Sequence, residues 1–150
     1  MNWLAHIFLS TNNIQFQLGN LLADKCKGKP WEGSSITVQH GFAMHKRIDS
    51  FTDSHQIVSL SKSRLGEKGY LKAVVMDMVY DYLLINNWQH FSKIKLEGFI
   101  ENFNQKALNE INNYPYEVRK FVSNIITSKI LSSYGSLSGL ELAFQRIVQT

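Results

Sequence analysis

The chain has a single cysteine, Cys26, among its 150 residues. An internal disulfide is therefore excluded, and with it the class of small secreted scaffolds stapled by disulfides. Long apolar runs are missing too: none reaches the roughly 18 residues that a membrane span requires. Residues 1–10 are apolar but carry no basic stretch and no cleavage site, so they do not read as a signal peptide. Alternating apolar and polar residues, the mark of a half-buried strand, nowhere compete with helical spacing. Repeats, low-complexity segments and linkers are absent. What remains is one all-α domain over residues 1–150, with a bacterial-type cytoplasmic protein as the default. Aspartate is scarce and confined. The five, Asp24, Asp49, Asp53, Asp77 and Asp81, lie between residues 24 and 81, and every acid outside that span is glutamate. Aspartate is the poorer helix former. Its repeated use in helical-looking segments suggests that a short carboxylate is needed there, and a metal held between helices is one reason for it.

An apolar fraction of 44% suffices for one core. A short first helix is expected over residues 2–10, a second from Ile14 to Ala23, and a loop from Lys25 to Ser35. Gly19 inside the second helix implies either a close helix contact or a break. Asp24 falls at that helix's C-terminal end, where a carboxylate opposes the dipole and calls for a cation. Further helices are expected at Ile36–Thr52, His55–Leu65, Tyr70–Asn86, Glu97–Ile111, Tyr116–Leu131 and Leu140–Val148. A turn is expected at Gly66–Gly69, an irregular link at Trp88–Leu96, a break at Asn112–Pro115 and a turn at Ser132–Ser138. Trp3, Trp31 and Trp88 read as packing residues.

The chemistry concentrates between His45 and His55. His45, Asp49 and Asp53 are each four apart and share a face if the helix holds, with Arg47 off to the side. Asp77 and Asp81, again four apart, sit in the most apolar helix, where a lone buried charge is costly. They need a cation, a proton or a hydrogen-bonding partner, and a divalent metal would satisfy both helices. Carboxylates with imidazole suit Mn²⁺, and Mg²⁺ to a lesser degree. The pool is His6, Asp24, His45, Asp49, Asp53, Asp77 and Asp81, with His55 nearby. It suits a metal-assisted phosphoester hydrolase with Arg47 on the phosphate. Plainer readings stand beside this one. His6 is then a core histidine bonded to a carbonyl, Asp24 and Asp49 pair with Lys46, Arg47 or another lysine, and Asp53 caps a helix. Asp77 and Asp81 then bind tyrosine hydroxyls or cap other helices. Nine of the 16 basic residues lie between Lys25 and Lys72, against four acids. Such a rim attracts an acidic protein or a phosphate ester; no nucleic-acid motif accompanies it.

These residues also carry a family signature. Residues 1–6 read Met-Asn-Trp-Leu-Ala-His, and Gly19 to Asp24 read Gly-Asn-Leu-Leu-Ala-Asp, with Lys27-Gly28 beyond. His45 to His55 follow, then Asp77, Asp81, Tyr82, Leu84, Trp88 and Phe91. Together they resemble the acyl carrier protein phosphodiesterases, a family similar to a divergent branch of the HD-type helical metal phosphohydrolases. The resemblance runs in order over essentially the whole chain. It implies an HD-domain-like helical bundle that hydrolyses the phosphodiester joining 4′-phosphopantetheine to a serine of holo acyl carrier protein. It further implies a manganese-type ion and an acidic protein partner that suits the basic rim. By position it places His6, Asp24, His45, Arg47, Asp49, Asp53, Asp77 and Asp81 in the active region. Within that set we assign Asp24, His45, Asp49 and Asp81 as metal ligands, with Asp77 supporting or bridging. His6 and Asp53 act as base or orient the ligands, and Arg47 holds the phosphate. Two departures accompany the likeness. Members of the family usually continue for some tens of residues beyond Thr150, which leaves open a bundle without the last C-terminal helices and an association of copies. The residue after Asp81 is Tyr82, where histidine is common. The same chemistry on another small phosphoester, or a non-catalytic module binding an acidic partner, are the alternatives.

Overall fold

The computed structural model describes residues 2–66, 69 and 71–148. Within them every regular element is helical and none is a strand. The helices are α1 (Trp3–Phe8), α2 (Ile14–Leu22), α3 (Ile36–Ser54), α4 (Gln56–Ser63), α5 (Lys72–Asn86), α6 (Leu96–Glu110), α7 (Tyr116–Thr127), α8 (Ile130–Ser133) and α9 (Leu137–Val148). Single 3-10 turns lie at Trp88–His90 and Ile111–Asn113. Of the expected Gly66–Gly69 turn, Glu67 and Lys68 fall outside the described residues, as does Tyr70.

Local chemistry fixes where the two site-bearing helices begin. Asn13 caps α2, its side-chain oxygen accepting from the Phe16 N–H at 3.1 Å. Ser35 caps α3 in the same way through the Val38 N–H at 3.2 Å. Each cap satisfies a donor that the first helical turn leaves over. The α3 helix runs on through Asp53 to Ser54, two residues beyond the expected Thr52. His55, rather than Asp53, then caps α4, with its Nδ1 accepting from the Ile57 N–H at 3.2 Å.

The α2–α3 contact is a glycine crossing. A Cβ on Gly19 would overlap the Val38 carbonyl, and one on Gly41 would overlap the Phe16 carbonyl. The two backbones are therefore in direct contact, which only glycine on both sides permits. Gly19 makes a close contact and not a break. One turn beyond the crossing, α3 presents His45 to the backbone of α2.

Leu18, Leu21 and Leu22 of α2 and Val38 and Phe42 of α3 form one core with Ile7, Phe103, Ala107, Val118, Val122 and Ile125. A smaller cluster joins Met78 of α5 to Tyr134, Leu140 and Ala143. The tryptophans do pack: Trp3 meets Phe121 edge-on, Trp31 meets Tyr114, and Trp88 meets Phe8 and Phe99.

The expected helix from Tyr116 to Leu131 is two helices. Thr127 bonds the Ser123 carbonyl through its hydroxyl, and Lys129 takes a left-handed φ of 50°. A polar Thr-Ser-Lys run thus ends α7, and α8 turns Leu131 into the large core while Tyr134 joins the small one. The last helix begins at Leu137, three residues before the expected Leu140, because the Ser136 hydroxyl accepts from the Gly139 N–H at 3.0 Å.

Candidate metal centre

Two histidines from different helices stack face to face in the α1–α2–α3 layer. The rings of His6 and His45 lie 4.0 Å apart, centroid to centroid, and 12° from parallel. Both are buried. Their Nδ1 atoms turn toward one residue, Asn20. His6 Nδ1 lies 2.8 Å from the Asn20 side-chain oxygen, and His45 Nδ1 lies 2.7 Å from the Asn20 main-chain carbonyl. Their Nε2 atoms turn the other way, to Asp49. Asp49 Oδ1 is 3.3 Å from His6 Nε2, and Oδ2 is 3.2 Å from His45 Nε2. Asp24 joins from the end of α2, its Oδ1 3.0 Å from His45 Nε2. The imidazoles form the floor, and the carboxylates, about half exposed, form the solvent side.

The charges follow from this geometry. Burial works against a charged His45, but hydrogen bonds to Asp24 and Asp49 outweigh it and raise its pKa to about 9. Burial likewise pushes the Asp49 carboxyl up, yet its bonds to His45 and His6 pull it far below the usual carboxylate range. The hydrogen bond to His45 also lowers Asp24, against a smaller opposing push from burial. The cation that Asp24 calls for at the end of α2 is thus an imidazolium.

His6, His45 and Asp49 each offer one ligand atom, and these atoms lie within 4.8 Å of one another. Both rings commit Nδ1 to a carbonyl oxygen, which leaves Nε2 for the shared point. Histidine ligands are held in this way in metal sites. Two imidazole nitrogens with flanking carboxylates therefore fit a divalent metal ion.

The other expected site residues have contacts of their own. Asp81 is 2% exposed and caps α1, its two oxygens accepting from the Leu4 and Ala5 N–H groups at 3.1 and 3.0 Å. Burial raises its pKa to about 7 against those two bonds. Asp81 thus sets the helix that carries His6. Asp77 is half-buried one turn away on α5, and its charge adds to the rise at Asp81. Asp53 makes an exposed ion pair with Lys62 at 2.7 Å, tying the end of α3 to α4. Arg47 is exposed, two residues from both His45 and Asp49, and that spacing puts it on another face of α3. Asn20 was assigned no role by the sequence reading. It stands 14 residues from His6 and 25 from His45, so no helical spacing links them.

The family model for acyl carrier protein phosphodiesterases matches residues 1–150. The chain belongs to this family. Among its relatives, the acyl carrier protein phosphodiesterase of Serratia proteamaculans is 30% identical over 139 residues, covering 91% of this chain and 72% of the relative. That of Photorhabdus laumondii is 37% identical over 90 residues, covering 59% and 45%. That of Yersinia enterocolitica is 29% identical over 145 residues, covering 91% and 72%. No solved structure gives a significant match. As a member of the acyl carrier protein phosphodiesterase family, the chain is all-helical among its described residues, and no described helix is long and apolar enough to cross a membrane.

Proposed function

We propose that the protein is a metal-dependent phosphodiesterase that removes 4′-phosphopantetheine from holo acyl carrier protein. The observation that carries this reading is the convergence of His6 Nε2, His45 Nε2 and the Asp49 carboxylate, with both Nδ1 atoms already committed. His6, His45 and Asp49 would hold the ion, with Asp24 completing the set from the solvent side. Asp81 is then a structural carboxylate that seats α1, and Asp77 its neighbour. Mn²⁺ is the favoured ion, because imidazole and carboxylate both suit it, and Mg²⁺ is the second choice.

A divalent ion held by these residues would supply charge neutralisation at the phosphoryl oxygens and lower the pKa of the attacking water. The chain supplies the rest. Water attacks phosphorus, the bond from phosphorus to the serine oxygen breaks, and that oxygen takes a proton. Apo acyl carrier protein and 4′-phosphopantetheine are the products. The proton released by the attacking water balances the one taken up by the serine oxygen. Asp49 holds the two rings in line and keeps the site's charge negative enough to retain a cation.

The acidic partner is met by a basic rim. Gly28, in the loop after Asp24, sits against the Lys46 side chain: a Cβ there would lie 3.3 Å from its Cε. Lys25 lies over the Phe121 ring at 5.5 Å. Lys25, Lys27 and Lys46, close in sequence to Asp24 and Asp49, are the residues proposed to steer an acidic protein and offset phosphate charge. Arg47 is the residue proposed to hold the phosphate.

The test is the mass of purified holo acyl carrier protein after incubation with this protein and Mn²⁺. Loss of the phosphopantetheine mass, abolished by EDTA and by Asp49→Ala, is expected. An unchanged mass with folded, Mn²⁺-loaded protein overturns the reading.

A further inference from the structure

The Asn20 side chain is fully buried and bonded at both ends of its amide. The nitrogen donates to the His6 main-chain carbonyl at 3.0 Å and to the Ser10 hydroxyl at 2.9 Å. A carbonyl accepts only, so Nδ2 must lie on that side and Oδ1 must face His6 Nδ1. That oxygen accepts only as well, so His6 carries its proton on Nδ1. The main-chain carbonyl of the same residue imposes the same choice on His45. One residue, through two different oxygens, thus fixes the ring orientation of both histidines and keeps a proton on each Nδ1.

We infer that Asn20 is the positioning residue of the metal centre, holding both imidazoles with Nδ1–H inward and Nε2 toward Asp49. The inference rests on the metal reading above for its function, though not for its geometry. The two halves of the role are separable by substitution. Truncating the side chain removes the acceptor of His6 and leaves the acceptor of His45, which belongs to the backbone. Ser10 anchors the amide: its hydroxyl donates to the His6 carbonyl at 2.8 Å and receives the second Asn20 N–H. The glycine crossing explains why the main-chain half is available. Gly41 lies against the backbone of Gly19 and Asn20, so α3 approaches α2 closely enough for His45, one turn on, to reach a carbonyl.

The experiment uses the whole chain with ¹⁵N-labelled histidine and needs no metal for its first part. Wild type is expected to give two protected Nδ1–H resonances, from His6 and His45. Asn20→Ala is expected to lose the His6 resonance and keep that of His45. Its Mn²⁺ dissociation constant, read by titration, should rise about 10- to 100-fold, as loss of a residue that orients a ligand typically costs. A folded Asn20→Ala protein with both resonances and unchanged Mn²⁺ affinity overturns the inference. If that variant does not fold, a wild type without a protected His6 Nδ1–H resonance overturns it instead. A wild type that shows both resonances but binds no Mn²⁺ defeats the metal reading alone.

Discussion

At the scale of single residues, Asp49 and Asp53 share a helix, a charge and a motif, yet the structure separates them. Asp49 touches both imidazoles, whereas Asp53 touches Lys62 at the surface. Asp49→Ala is therefore expected to weaken Mn²⁺ binding by at least about 100-fold, since it removes a ligand and the counter-charge of two rings. Asp53→Asn is expected to leave Mn²⁺ affinity within about threefold and to cost less than about 1 kcal/mol of stability, as exposed ion pairs do. Isothermal titration and thermal melts read both. The sequence made His45, Asp49 and Asp24 legible as candidates because spacing and helix ends are local properties. It left His6 undecided between core and site, and the structure brings it to the site through a stack with His45. Asn20 was illegible because its partners are remote in sequence and one of its two contacts comes from a backbone atom.

At the scale of elements, the centre depends on how three helices are set. The α2–α3 crossing allows no side chain at Gly19 or Gly41. Gly41→Ala is expected to cost about 1–3 kcal/mol, the usual result of overpacking. It should also weaken Mn²⁺ binding, because parting the helices moves His45 off the Asn20 carbonyl. A stability loss with undiminished Mn²⁺ affinity would separate the crossing from the site. The setting of α1 depends on Asp81. Asp81→Leu leaves the buried Leu4 N–H and the partly buried Ala5 N–H without acceptors, at roughly 1–3 kcal/mol of stability. Its Mn²⁺ affinity falls only as far as α1 shifts, far less than in Asp49→Ala, and the comparison of the two variants distinguishes a cap from a ligand. Helical periodicity carried most elements with ends shifted by a residue or two. It missed the α7–α8 break and the early start of α9, because both are made by serine, threonine and lysine chemistry and leave no mark on the apolar period.

At the scale of the whole molecule, the shifted groups set how stability depends on pH without metal. The folded pKa of His45 is about 9, above the 6.5 of a free imidazole. Its contribution is complete below pH 6.5 and is lost as pH rises through 9. Asp24 and Asp49 are depressed, so their contribution is present above their unfolded value near 3.8 and is lost as pH falls through the folded pKa of each. Asp81 is raised to about 7, so its ionisation lowers stability between about pH 4 and 7. Metal-free protein is therefore expected to melt highest in mildly acidic buffer and to lose on the order of 1–3 kcal/mol by pH 9. Melts across pH with EDTA present check this. The basic rim acts at the same scale. Lys27→Glu with Lys46→Glu should raise KM for holo acyl carrier protein several-fold, and added salt should weaken the wild type likewise.

One divalent ion is proposed to sit between α1, α2 and α3, held by His6, His45 and Asp49 beside Asp24. A crystal grown with Mn²⁺, with data collected near the manganese absorption edge, tests it most directly. An anomalous peak bonded to His6 Nε2, His45 Nε2 and an Asp49 oxygen is expected, with Asp81 still on the N–H groups of α1. A peak at Asp77 and Asp81, or none in a crystal soaked at saturating Mn²⁺, would contradict it.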